Sequence, residues 1–215
     1  MSVSDRPLRA DAERNRQRIL AAASTVFAER GLGVSLDDVA AAAGVGVGTV
    51  YRRFPDKDAL IDALFEAKMS RVAERAREAL DIEDPWEAFV AFMHGICASH
   101  AVDRGLKEAM LSGDRGRDRM RIARELMAPI AAQVVGRAQA AGVLRDDIGV
   151  LEVPVLHMLI GDLAEKTREA DPDYWQRALT IVLDGLRVER TAPTPLPGEP
   201  LDRERFAQFM TRKRC

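Results

Sequence analysis

Two cysteines in 215 residues, Cys97 in an apolar stretch and Cys215 at the end, are too few for a disulfide framework, and such a chain is expected in a reducing, cytoplasmic compartment. Aromatic residues make up only 5% of the chain and runs of alternating β-branched residues are few. That argues against sheet architectures, and with alanine, leucine and valine abundant the expected fold class is all-α. No apolar run approaches the roughly 18 residues of a membrane span, and no signal-like apolar core follows the N-terminal MSVSDRPLRAD. No membrane partner and no processing are expected. The three histidines, His94, His100 and His157, lack the HExxH spacing of a metal site. Gly44, Gly46 and Gly48 alternate within a turn, without the preceding strand or the GxGxxG phase that cradles phosphates. Pairs such as Glu108 with Asp114, or Asp162 with Glu165, read as solvated faces. The chain is expected to be neither an enzyme nor a cofactor or metal binder. Its formal charge of -2, from 32 Lys+Arg against 34 Asp+Glu, also excludes a globally basic nucleic-acid binder, so any such binding must come from a local surface.

What is present is concentrated in Ser35 to Leu60, SLDDVAAAAGVGVGTVYRRFPDKDAL. A short amphipathic segment, Leu36 to Ala43, runs into Gly44, and a second, Val47 to Phe54, follows within a few residues. This is the pattern of a helix-turn-helix. Ser35 with Asp38 three residues on supplies the start signal of the first helix, since a hydroxyl and a carboxylate can each satisfy one orphan amide there. Gly44 provides the positive φ that ends a helix and turns the chain. Val39, Val45 and Val50 are expected to point inward. The opposite face of the second helix then carries Thr49, Tyr51, Arg52 and Arg53 behind a small-residue front of Gly46, Val47 and Gly48. A small front admits base edges, and hydroxyl or guanidinium groups behind it hold phosphates.

The run from Ile19 to Phe65 resembles the N-terminal DNA-binding domain of the TetR family of bacterial transcriptional regulators. The spacing G-T-[VL]-Y-x-x-F-x-x-K-x-x-L that carries the resemblance is met by Gly48, Thr49, Val50, Tyr51, Phe54, Lys57 and Leu60. The resemblance implies backbone contacts from Tyr51 and Lys57, a homodimer formed by the last two long helices, and release from DNA when a small molecule binds the C-terminal domain.

In chain order, residues 1–11 read as a flexible basic arm containing Arg6 and Arg9, diluted by Asp5 and Asp11. A helix from about Ala12 to Arg30, with Ile19, Leu20, Ala23, Val26 and Phe27 at helical spacing, completes a three-helix DNA-binding domain over 12–56. Asp56 is a cap for a helix running to about Leu80. Lys57 lies in its first turn, where the helix dipole disfavours a cation unless an anion docks there. Residues 57–188 are read as an antiparallel helical bundle for effector binding and dimerisation. Asp84-Pro85-Trp86-Glu87 opens one helix of it. A short helix with Leu106, Met110 and Leu111 and a longer one from about Arg117 to Ala141, kinked or restarted at Pro129, come next. Val150 to Arg168 and Pro172 to Val188 are apolar around much of their circumference, which asks for burial on more than one side. A second subunit meets that need through a four-helix seam, the alternative being that the two helices only close the monomer core. Residues 189–215 form a proline-rich tail with a possible short helix through Phe206, Phe209 and Met210.

The expected DNA contacts are Ser35, Gly46, Val47, Gly48, Thr49, Tyr51, Arg52, Arg53 and Lys57, with the arm arginines assisting, and the sequence does not choose between Arg52 and Arg53 for a guanine. Trp86, Phe89, Phe92, Met93, Ile96, Met110, Met127 and Met158 are candidates to line an apolar effector pocket, with His100 and His157 as polar handles. Such stripes also occur as plain core. Leu156, Leu159, Ile160, Leu163, Trp175, Leu179, Val182, Leu183 and Leu186 are the candidate dimer seam. The expected partners are a double-stranded, palindromic DNA operator, a second copy of the chain and a small-molecule effector. The alternative is an effector-independent DNA-associated or protein-interaction module whose C-terminal domain only dimerises.

Overall fold

A computed structural model describes residues 5–102, 115–189 and 194–196, without the side chains of 5–10 and 100–102. Among the described residues there are eight α-helices, and Leu144 with Arg187 forms an isolated antiparallel bridge. The chain divides into two units, 1–69 with 103–122 and 70–102 with 123–215. None of the described helices is long and apolar enough to cross a membrane.

The first unit holds α1 (Asp5–Arg30), α2 (Leu36–Ala43), α3 (Val47–Arg53) and the start of α4 (Lys57–Glu78). α1 begins at Asp5 rather than near Ala12, so residues 5–11, expected as an arm, are its first turns. The reason lies in Pro7, which sits in the first turn where its missing N–H has no partner to lose. Gly31, at φ 71°, ends α1 and donates its amide to the Phe27 carbonyl at 3.0 Å. The stripe Ile19, Leu20, Ala23, Val26 and Phe27 is buried, and α1 packs on α2.

The start of α2 is a capping box. Asp38 N–H donates to Ser35 Oγ at 3.2 Å, and Ser35 N–H donates to Asp38 Oδ2 at 2.9 Å. Gly44, at φ 62°, ends α2, and the amides of Gly44 and Val45 reach back to the carbonyls of Ala41 and Ala40 at 3.2 and 3.1 Å. Arg18 of α1 donates to the carbonyls of Ala43 and Gly44 at 2.9 and 3.2 Å, placing a cation on the negative end of α2. Val39 and Val50 are fully buried as expected, whereas Val45 in the turn is half-buried. Asp56 caps α4 by accepting the Ala59 amide at 2.7 Å. Arg115 and Arg119 tie the start of α6 (Gly116–Ala140) to α4 through Asp62, each at 2.7 or 2.8 Å.

The second unit is built on α5 (Pro85–Val102), the body of α6, α7 (Glu152–Thr167) and α8 (Tyr174–Leu186), after a 3-10 turn at Ala79–Asp81. Asp84 Oδ1 accepts the amides of Trp86 and Glu87 at 2.8 and 2.9 Å, with Pro85 as the first helical residue. Trp86, Phe89, Phe92, Met93 and Ile96 of α5 form one core with Ile130, Val134 and Val135 of α6, Ile160 of α7 and Leu179 of α8. α7 packs on both α5 and α8. α6 is one helix, not restarted at Pro129, which lies on its exposed side, as does Glu125 one turn earlier. Gly142, at φ 70°, ends it. Thr194 donates its amide to Asp184 Oδ2 at 2.9 Å, so this point of the proline-rich tail lies on α8. The expected short helices around Met110 and around Phe206 to Met210 lie outside the described residues.

Candidate nucleic-acid interface

α3 is seven residues long and one of them, Val50, is buried. The remainder of the helix is a presented surface. Val47 is 42% exposed and Tyr51 47%, Gly46, Gly48, Arg52 and Arg53 are exposed, and Thr49 is half-buried. Gly46 is the N-cap without a side chain, and its carbonyl accepts the Thr49 amide at 2.8 Å. The front of the helix is therefore bare backbone flanked by one valine and one hydroxyl. Phe54, buried just past the C-terminus, returns its amide to the Val50 carbonyl at 2.8 Å and holds the rear. Two buried side chains thus orient a helix too short to be stable alone.

Arg52 and Arg53 do not stand at that front. They turn toward α1, where with Ala12, Asn15, Arg16, Ile19 and Thr49 they line a notch of about 250 Å³. Glu13 of α1 reaches Arg53 at 3.6 Å and Arg16 at 3.8 Å. Lys57 is half-buried at the first position of α4. Ser35 is exposed, but its hydroxyl proton is committed to Asp38 Oδ2 at 2.6 Å. Those bonds to Ser35 hold the Asp38 carboxyl below its ordinary pKa, with Arg30 adding to the effect. Ser35 is thus first a cap that fixes where α2 starts. Arg18 clamps the turn, a role that only the fold reveals because its partners are carbonyls 25 and 26 residues away. Arg6 and Arg9 have side chains outside the described residues.

In the second unit, Trp86, Phe89, Phe92, Met93 and Ile96 are all core residues, and Trp86 and Phe89 pack ring to ring at 5.8 Å. Met127 and His157 are half-buried. Met158, expected to face a pocket, is instead 59% exposed because it lies on the outer side of α7. The His100 side chain and Met110 lie outside the described residues. His94, half-buried against the Trp175 ring at 5.8 Å, has its pKa lowered by burial. Burial pushes the Cys97 thiol up to about 12, the environment of a structural rather than a reactive cysteine.

The candidate seam divides. Ile160, Trp175, Leu179, Leu183 and Leu186 are buried inside the protomer and belong to its own core. α8 carries a single apolar stripe, with positions 175, 179, 183 and 186 one helical turn apart. Off that stripe Gln176, Arg177, Thr180 and Asp184 alternate with Ala178, Ile181 and Val182, so α8 is less apolar around its circumference than expected. α7 does have two apolar sides: Val153, Ile160 and Ala164 face inward, while Leu151, just ahead of it, Val155, Met158 and Leu159 form an exposed stripe. Ile181 of α8 is also exposed, and Leu156, Leu163 and Val182 are half-buried.

Residues 19–64 match the family model described as bacterial regulatory proteins, tetR family, and residues 84–188 match that of the C-terminal domain of transcriptional regulators of the SbtR-like kind. A TetR transcription regulatory protein from Mycobacterium vanbaalenii is 37% identical, with 85% of this chain and 100% of that one covered and a TM-score of 0.65. A TetR transcriptional regulator from Streptomyces coelicolor is 31% identical, covering 82% of this chain and 99% of its own, at TM-score 0.59. The HTH-type transcriptional regulator SrpR of Pseudomonas putida is 38% identical over 85 residues, 39% of this chain and 40% of SrpR. The chain thus spans less than half the length of such curated relatives, and the match to SrpR concerns only that part. The two solved regulators, matched along their whole length, carry the assignment: the chain belongs to the TetR family of bacterial transcriptional regulators.

Proposed function

We propose that the protein is a repressor that binds a palindromic operator as a homodimer and leaves it when a small, largely apolar ligand binds the second unit. The observation that carries the DNA part is the exposed, small-fronted face of α3 above a buried Val50. Gly46, Val47, Gly48 and Thr49 enter the major groove, where Val47 suits a thymine methyl and the Thr49 hydroxyl a base edge or phosphate. Tyr51 and Lys57 hold the backbone, and Lys57 sits where a helix N-terminus also favours a phosphate. Arg52 and Arg53 line the notch beside α1, which favours the backbone over a guanine as their partner.

The exposed stripe Leu151, Val155, Met158 and Leu159, with Ile181 beside it, supports a second copy as the covering surface. A dimer sets two α3 helices on half-sites about 34 to 36 Å apart, or somewhat farther. The ligand part rests on the α5 side chains Phe89, Phe92, Met93 and Ile96, an apolar layer with His157 half-buried on α7. A ligand that binds better to a dimer with its α3 helices spread off the half-site spacing lowers operator affinity by that difference.

Selection of bound duplexes from a random pool by the purified full chain tests the reading. It is supported by recovery of an inverted repeat bound by two chains, and release of that duplex by members of an apolar metabolite panel supports the ligand part. Recovery of no preferred sequence, or of a site bound by one chain, refutes it.

A further inference from the structure

The notch between α1 and α3 is lined by three arginines, Arg16, Arg52 and Arg53, together with Asn15 and Thr49. Like charges gathered in this way need a counter-charge. In the free protein Glu13 supplies it, one carboxylate oxygen 3.8 Å from Arg16 Nη1 and the other 3.6 Å from Arg53 Nη2, while Gln17 Nε2 donates to Glu13 Oε1 at 2.8 Å. Both arginine distances exceed the roughly 2.7 to 2.9 Å of a charge-assisted hydrogen bond. Arg53 and Glu13 are 40% and 55% exposed, so these pairs are weak and readily exchanged. The notch adjoins the presented face of α3, since Thr49 belongs to both.

We infer that this notch is a binding site for one phosphate of the DNA backbone, and that Glu13 stands in for that phosphate until DNA arrives. The inference rests on the DNA-binding reading above. It gives α1 a direct part in binding, through Arg16 and Asn15, and it gives Glu13 the role of a competitor that lowers affinity for any duplex irrespective of sequence. A weak, exposed carboxylate is suited to this, because it holds the arginines in place without matching the bonds that a phosphate makes with both.

The test is Glu13→Gln, which removes the charge and keeps an oxygen for Gln17, measured in the full chain by fluorescence anisotropy on a duplex of about 30 base pairs and arbitrary sequence. Losing two exposed pairs predicts affinity about three- to tenfold higher than wild type at low salt. Adding Arg16→Gln and Arg53→Gln should cancel the gain and lower the slope of log affinity against log salt by about 0.9, the loss of one phosphate contact. Unchanged thermal unfolding of Glu13→Gln shows that the change is electrostatic. Unchanged duplex affinity in Glu13→Gln, with wild type still binding, overturns this assignment alone, as does a gain that survives loss of both arginines. Wild type that binds no duplex overturns the parent reading and this one with it. Arginine-dependent binding of inorganic phosphate, without any response of duplex affinity to Glu13→Gln, makes the notch a free-anion site and also overturns it.

Discussion

Val47 and Val50 sit three residues apart on one short helix, and the same substitution at each should give opposite results. Val50 is 0% exposed and is the buried residue of α3, whereas Val47 is 42% exposed on its front. Val50→Ala removes two buried carbons, about 0.8 kcal/mol each in transfer. A cavity term of about 24 cal/mol per Å³ over a few tens of Å³ brings the total to about 2 to 3 kcal/mol. At about 1.4 kcal/mol per factor of ten, amide exchange in α2 and α3 should quicken by about 30- to 150-fold. Val47→Ala removes the same atoms from solvent and should change stability by less than about 0.5 kcal/mol. Its effect should fall on the duplex recovered by selection, where loss of two apolar contacts weakens binding by up to about tenfold. Hydrogen exchange of the free protein and anisotropy on the selected duplex read the two effects separately. Unchanged exchange in Val50→Ala, or destabilisation by Val47→Ala as large as by Val50→Ala, would refute the division of α3 into a buried anchor and a presented front.

Gly44→Ala places a side chain at φ 62°, with its Cβ 3.2 Å from Arg18 Nη2, and should cost about 1 to 2 kcal/mol in urea unfolding; no loss of stability would contradict the turn. Leu159→Glu charges a side chain that is 63% exposed in the protomer, so sedimentation should show a folded monomer, and an unchanged mass would count against the α7 stripe as the seam. In a Cys215→Ser background, Cys97 should react with a thiol reagent at pH 8 only after unfolding, because burial holds its pKa near 12. For the same group, the unfolded chain releases the thiol proton first as pH rises. Stability from this source is therefore complete below the ordinary thiol range and declines as pH climbs toward 12, and stability that rises over that interval would contradict the burial.

The local signals were legible in the chain. Ser35 with Asp38, Gly44, Asp56 and Asp84-Pro85 each act through neighbours within a few residues, and each does in the structure what its residue type predicts. The front of α3 followed from the same kind of spacing. What was not legible depends on chain brought together from far apart. Arg18 reads as one more basic residue until the Ala43 carbonyl lies 2.9 Å from it. That Arg52 and Arg53 line a notch with residues of α1 shows only once α1 is seen beside them. On α8, Trp175, Leu179, Leu183 and Leu186 are apolar enough for either a core or a seam, and only their burial against α5 and α7 decides for the core. Helical phase alone could not have chosen, because both faces of α7 are apolar and the inward one is set by α5.

The central claim is that two copies of this chain present the same small-fronted helix to DNA at a fixed separation. Hydroxyl-radical footprinting of the selected duplex measures that separation. The account predicts two equivalent protected patches on one face of the duplex, centred about 10 base pairs apart or somewhat more, each weakened when Tyr51→Phe and Lys57→Ala are combined. One isolated patch, or protection that does not depend on α3 and Lys57, would contradict it.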